Sequence, residues 1–396
     1  MSQSLAARLR GSTVGGVISA SEQFTSLGRG PDWLGVVAPV SNHCLRSAAP
    51  DTGIVIVNWN SWPETIEALE AVFRMQGFDG PVIVCDNASV DGSLGYIKQW
   101  AEGTLCALPE SYEREIRNLV IPPVEKNFQV AELSCGEVNT CVLSPEVAGS
   151  RLWLVSSAEN GGFGAGSNIG IRLLLRMPKI NNFWLLNCDA LPAQRAYREL
   201  KNEMPALLQP IICGSALLEY WKPSVVQSCG AKFNPLLCSM SDNLKGMPSA
   251  ALQKMENVHH VHYPVGASIV VNREFLDSVG FMSEDYFLYF EELDWVARLP
   301  QPGKAFVVAS SLVYHKGGAT TGAGSTFKDR ALKTDYYFLR SRVIFACRHM
   351  HGGMLVALAS AVIAVLRRLL YGNKGVARNA MLAILDGFRQ DTRGGE

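Results

Sequence analysis

Between residues 52 and 192 short apolar runs alternate with longer stretches in which apolar residues recur at helical spacing. The run at 54–57, Ile-Val-Ile-Val, is β-branched throughout, as expected of a central strand covered on both faces. "SWPETIEALEAVFRM" follows, with Ser61 at a cap position and Glu64 three residues on. Ile66, Leu69, Val72 and Phe73 then recur with the helical period. "PVIVCDNAS" predicts a second strand, and "VDGSLGYIKQW" a turn and helix. Residues 104–150 carry Pro109, Pro122, Pro123 and Pro145 without a sustained period and are expected to be an irregular insertion. "RLWLVSS" restores a strand and "GAGSNIGIRLLLRM" a helix. "NNFWLLNCDALP" is a strand that stops on Asn187-Cys188-Asp189 before Pro192, which cannot donate to a ladder. The order β-α-β-α-β-α-β predicts an α/β fold built on a doubly wound, mostly parallel sheet, with ligands at the C-terminal edge of its strands.

Past residue 192 the pattern changes. "IICGSALLEY" and "VHYPVGASIVV" are predicted as strands, "NREFLDSVG" as a helix ending at Gly280, and "EDYFLYFEELDWVARL" as an amphipathic helix. "AFVVASSLVYH" is again strand-like. Residues 1–50 are rich in Gly, Ser and Ala with no period, and are expected to be a poorly ordered leader with no signal-peptide core.

Composition narrows the function. The 36 basic and 36 acidic side chains cancel, so nothing global argues for nucleic acid as a partner. The 10 cysteines lack the paired spacing of a zinc site and fit a reducing compartment.

Three predicted strand ends carry polar groups: Asn58 and Asn60, Asp86 and Asn87, and Asn187 and Asp189. In neighbouring parallel strands these converge on one edge. "ENGGFGAGSNIG", from Glu159 through Asn160, Gly161, Gly162 and Asn168, looks like a phosphate cradle opening a helix. The dinucleotide fingerprint fails there, because Ser167 or Ile169 stands where its third glycine belongs, and the Walker lysine is missing. Asp189 is a candidate ligand for Mg²⁺ or Mn²⁺, which takes one or two carboxylates plus phosphate oxygens. His315, at the end of a strand and before two glycines, is a candidate second ligand. The "HHVH" at 259–262 has no cysteine or carboxylate beside it and is read as structural. Glu291 and Glu292 lie among Phe287, Tyr289 and Phe290, where desolvation would raise a carboxyl pKa toward that of a general base.

Taken in order, "VIVNWNS", "VIVCDNASVDGS", "AENGGFGAGSNIGI", "WLLNCDA", "GFMSEDYFLYFEELDW" and "VYHKGGATTG" resemble the motif series of a family 2 glycosyltransferase, of the rhamnosyltransferase-like branch. The resemblance covers about residues 51–346. It implies a glycosyltransferase-A fold over 51–330, a nucleotide-sugar donor, a divalent cation, and a saccharide or lipid-linked acceptor attacked with inversion. By position, Asp86 would meet the nucleotide base beside Asn58, and Asn160 and its glycines would line the donor pocket. Asp189 and His315 would hold the metal, with Asn187 replacing the metal motif's first aspartate. Glu292 would be the base, where an aspartate is usual.

Residues 331–396 are expected to form a helical segment. Its apolar stretch at 354–366 is too short to span a bilayer and runs into Arg367 and Arg368. With Arg340, Arg342, Arg348, Lys374 and Arg378 nearby, this predicts a helix lying on an anionic membrane surface. The alternative is a helix packed on protein. The expected location is cytoplasmic, peripheral on the inner face of the cell membrane. Two other functions fit parts of the pattern: a nucleotide-dependent oxidoreductase, which lacks its glycine spacing, and a non-catalytic nucleotide-sugar-binding protein that keeps the fold.

Overall fold

The computed structural model describes residues 50–142, 149–207, 209–300, 305–317, 331–350, 352–371 and 374–393. The leader expected over 1–50 lies outside these residues except for Pro50, and so does most of "KGGATTG".

The first half follows the predicted alternation. β1 (Thr52–Asn58) leads to α1 (Trp62–Phe73), β2 (Val82–Asp86) and α2 (Ser93–Ala101). The stretch expected to be irregular instead supplies α3 (Arg114–Val120) and β3 (Val130–Ser134), and β3 pairs parallel to β4 (Leu152–Ser156) at the sheet edge. Its half-exposed residues give it no apolar run, which is why it is invisible as a strand in the sequence. α4 (Gly162–Leu175) and β5 (Asn182–Asn187) complete the half.

The second half returns across the same sheet: β6 (Ala190–Pro192), α5 (Ala196–Glu203), β7 (Ile212–Glu219), β8 (Lys222–Ser228), β9 (Ala231–Asn234), β10 (Ser239–Asp242), β11 (Val258–Val261), β12 (Ser268–Asn272), α6 (Arg273–Val279), α7 (Glu291–Ala297) and β13 (Ala305–His315). Three helices close the described chain: α8 (Leu332–His349), α9 (Gly353–Tyr371) and α10 (Lys374–Arg393). Along the main sheet the order is β11-β13-β7-β12-β5-β1-β2-β4-β3. Its β5-β1-β2-β4-β3 block is parallel, and β12 runs antiparallel to both β5 and β7.

The all-apolar central strand is explained by its two faces. Ile54 and Ile56 of β1 pack with Ile66, Leu69 and Val72 of α1, whereas Val55 packs with Ile171 and Leu174 of α4. Gly170 lets α4 approach closely, since a Cβ there would come within 2.4 Å of Val55. Two predicted elements are corrected. "VHYPVGASIVV" is split between β11 and β12, because Pro264 has no amide hydrogen and a turn intervenes, with Ser268 N donating to Val265 O. The helix expected over "EDYFLYFEELDWVARL" is formed only from Glu291. Before it, Phe287, Tyr289 and Phe290 take left-handed φ values of 64°, 67° and 71°. Side chains of α8 replace the helical donors: Ser341 Oγ donates to the carbonyls of Tyr286 and Leu288, and Arg340 to those of Asp285 and Tyr286. Of the three rings, Phe290 turns into the core, fully buried and near Phe345, whereas Phe287 and Tyr289 stay half-buried.

Among the described residues no helix is long and apolar enough to cross a membrane.

Candidate active site

Register brings the strand ends together. Asn58 of β1 pairs with Asp86 of β2, and Val57 pairs with Asn187 of β5. Asn58 Nδ2 donates to Asp86 Oδ1 at 2.6 Å, and its Oδ1 accepts from Thr65 Oγ1 of α1. The other oxygen of Asp86 accepts from the Ser89 amide at 3.0 Å. Asn60, with φ 50°, takes the Val90 amide on its side-chain oxygen. Asn58, Asn60 and Asp86 thus hold the β1 and β2 loops together. They stand beside the cavity described next and do not line it.

That cavity, about 520 Å³, opens over the C-terminal edge of β1, β2 and β5. Asn87, Asn160 and Gly162 form one part of its wall. Asn160 Oδ1 accepts from the Gly162 amide at 3.0 Å and from Asn87 Nδ2, which also donates to Gly162 O at 2.8 Å. Asn87 Oδ1 is buried without a partner, an acceptor oxygen that a ligand's N–H or O–H could satisfy. Gly162 has φ +87°, and a Cβ on it would lie 2.2 Å from Phe287 O, so only glycine lets the loop reach the aromatic segment. Two expected donor residues sit elsewhere. Gly161 caps α4 outside the lining. Asn168 faces away, donating to Met282 O and Glu284 Oε1, because the helical turn carries it toward the 282–284 loop.

Asp189 and His315 line the same cavity. β6 pairs antiparallel with β13, setting His315 opposite Ala190, and Asp189 Oδ1 lies 3.2 Å from His315 Nε2. Adjacent ligands of an octahedral ion with bonds of about 2.1 Å stand about 3 Å apart, so the pair can share one Mg²⁺-like cation. On the far side of the ring, His315 Nδ1 is 2.6 Å from Gln227 Oε1 and donates to it, which leaves Nε2 facing Asp189. Two acceptor lone pairs at that distance need a cation between them, a proton or a metal. Burial pushes the Asp189 carboxyl up, but the His315 charge and hydrogen bond outweigh it and the net shift is downward. Burial likewise pushes the His315 ring down, and Asp189 reverses that to a net rise. Asn187 Nδ2 lies 3.4 Å from the same Nε2 and contributes no charge. Asp189 and His315 are thus two candidate ligands, and no cluster of three or more His, Cys, Asp and Glu able to hold a metal occurs among the described residues.

Glu291 and Glu292 line the cavity as well, from the first turn of α7. Burial and the Glu292 charge push Glu291 well above the ordinary carboxyl range, and its Oε2 has no hydrogen-bond partner. Burial also raises Glu292, which is partly offset by backbone hydrogen bonds including one from Gly266. Asp294, one turn on, is occupied by Tyr286 Oη, Arg298 Nε and His349 Nε2 and is structural.

The remaining walls were not expected from the sequence. Trp59, between the two predicted asparagines, lines the cavity, with Lys333 Nζ 5.0 Å from its ring centroid. Thr334 and Tyr337 of α8 also face in, and Tyr337 stacks on Phe287 at 4.2 Å. The aromatic content of "TDYYFLRSR" was the available signal, but it sits far along the chain from the other site motifs. "HHVH" stays structural: His262 Nδ1 accepts from the Phe233 amide.

No protein-family model and no curated protein matches the sequence. Among solved structures, the chain is similar to GalNAc-T7 with UDP, GalNAc and Mn²⁺, at 13% identity and TM-score 0.46 over 74% of this chain, but it spans only 51% of that one. It is similar to TarS 1–349 of S. aureus in complex with UDP-GlcNAc, at 11% identity and TM-score 0.45, covering 86% of this chain and 81% of that one. It is similar to the mannosyltransferase PcManGT from Pyrobaculum calidifontis with GDP-Man and Mn²⁺, at 12% identity and TM-score 0.43, covering 88% of each. The site described above stands on its own residues, since overlaps this loose carry no functional weight.

Proposed function

We propose that this chain is a nucleotide-sugar-dependent glycosyltransferase that moves a sugar, rhamnose by the resemblance of its motifs, onto a hydroxyl of a saccharide or lipid-linked acceptor with inversion. The observation that carries the proposal is one cavity holding two unlike ends. The Asp189–His315 pair, suited to a divalent cation, and the raised-pKa pair Glu291–Glu292 line the same space. A Mg²⁺ or Mn²⁺ ion bound by Asp189 and His315 would supply the charge that stabilises a departing nucleoside diphosphate. Glu292, less deeply enclosed than Glu291, is positioned to take the acceptor's proton as that hydroxyl attacks the anomeric carbon. Burial and the Glu292 charge raise Glu291, so Glu291 keeps the pair's proton while Glu292 acts as the base. Asn87 and Asn160 orient the donor, with Asn87 Oδ1 the open acceptor. Trp59 offers a flat apolar face to a base or sugar ring, and Lys333 a positive charge to phosphate.

The test is a thermal-shift screen of nucleotide sugars with and without divalent cation. Donor binding is expected to need the cation in the wild type and to lose that dependence in Asp189→Asn. Metal-independent binding by the wild type, unchanged in Asp189→Asn, would remove the metal role. Tight donor binding without turnover under any acceptor would favour the non-catalytic reading.

A further inference from the structure

The two C-terminal helices are built inside out for contact with water. In α9, Ala357, Ala361 and Ala364 face inward and are buried, whereas Leu355, Leu358, Val362, Leu366 and Leu369 are about half exposed or more. Spacings of three, four, four and three residues put those five on one helical face, with Ile363 and Leu370 along its edge. α10 repeats the arrangement: Ala377, Ala380 and Ala383 are buried, and Met381, Leu382 and Leu385 exposed. A water-facing helix carries the opposite pattern, and soluble monomers scatter exposed leucines singly. The small inward residues let α9 and α10 pack closely on α8, so the large apolar residues outside are left for another surface.

Charge selects that surface. α9 carries no acidic residue. Arg367, Lys374 and Arg378 are exposed where α9 gives way to α10, and no ion pair joins them to a carboxylate among the described residues. A second copy of this face would meet these cations with like charges or with its own apolar end, whereas an anionic lipid headgroup layer answers both features. We propose that the outward face of α9, continued by α10, docks on an anionic lipid surface and lies in its interface without crossing it. The surface is fastened to the cavity wall. Arg368, on the inward face, makes a buried pair with Asp335 of α8, two residues from Lys333 and two from Tyr337. If the proposed reaction holds, its acceptor would therefore be met beside a membrane.

The experiment is co-sedimentation of the full chain with phosphatidylcholine vesicles, with and without phosphatidylglycerol. Binding is expected only with phosphatidylglycerol, weakened by salt and by about fivefold for each of Arg367, Lys374 and Arg378 changed to Gln. Leu366→Glu with Leu369→Glu should reduce it at least about tenfold, with an unchanged unfolding midpoint because both sites are exposed. No binding by the wild type, or binding that these changes leave intact, overturns the proposal. So does a dimer seen by light scattering that Leu366→Glu dissolves, since a second copy would then cover the face. The donor-induced thermal shift, measured on the same variants, should not change, so a failure of lipid docking and a failure of the transferase reading are read apart.

Discussion

Gly162→Ala tests whether the glycine loop and the acid-bearing segment are one unit. At φ +87° an added Cβ costs about 1–2 kcal/mol in backbone strain alone. It would also stand 2.2 Å from Phe287 O, 2.6 Å from Phe287 Cα and 2.7 Å from its carbonyl carbon, all backbone atoms with no rotamer to escape into. Relief requires Phe287 to move by about 1 Å, an overpacking cost of about 1–3 kcal/mol. That shift breaks the 2.9 Å hydrogen bond from the Phe163 amide to Phe287 O, worth about 1 kcal/mol net, and unseats the ring stacked on Tyr337. Together the substitution should destabilise the fold by about 3–6 kcal/mol by urea unfolding, and it should also weaken donor binding in calorimetry. Gly95→Ala is the control. It lies exposed in α2 with nothing within 4 Å, and it should stabilise by about 0.5–1 kcal/mol. If Gly162→Ala unfolds within 1 kcal/mol of the wild type and binds donor normally, the contact between loop and aromatic segment is not what holds either in place.

Glu292→Gln should lower transfer by about 10²- to 10⁴-fold while leaving the donor-induced thermal shift in place; wild-type turnover would show that another group takes the proton. Because the folded Glu291–Glu292 pair holds its proton above the ordinary value of 4.5, the folded chain binds more protons than the unfolded one just above that pH. Stability from this pair therefore falls as pH rises from about 4.5 through the raised pKa, the reverse of a salt-bridged carboxylate, and Glu291→Gln with Glu292→Gln should flatten that slope in unfolding midpoints against pH. The acid limb of the transfer rate should likewise lie above 4.5, and a limb at or below it would contradict the raised base. Arg368→Met leaves Asp335, 1% exposed, as a buried unpaired charge and should cost about 3–5 kcal/mol, most of it recovered when Asp335→Leu is added. A cost under 1 kcal/mol would mean that water reaches the pair.

The parallel half of the sheet, apart from its edge strand β3, was legible because strands covered on both faces must be apolar at every position, as 54–57 and 183–186 are. Asn187, Asp189, Asn87 and His315 could be placed because each closes a strand. What the sequence did not show depends on distant partners. The left-handed turn at 287–290 reads as helix until Ser341 and Arg340 are known to take its carbonyls. Asn58 and Asp86 are expected at the donor, and their hydrogen bond to each other across the β1–β2 register becomes visible only in the fold. Lys333 and Tyr337 reach the cavity only through the packing of a helix that begins after the sheet is complete.

The pairing of β6 with β13 has a consequence for how this chain can vary. The separation between Asp189 and His315 is fixed by rungs of a ladder just past an irregularity between Val308 and Leu312, so drift in the neighbouring loops leaves it untouched. A single residue inserted between positions 312 and 315 would carry the imidazole about 3.4 Å along the strand and turn it to the opposite face. Among relatives that keep both Asp189 and His315, that short span should hold constant length whatever its sequence does.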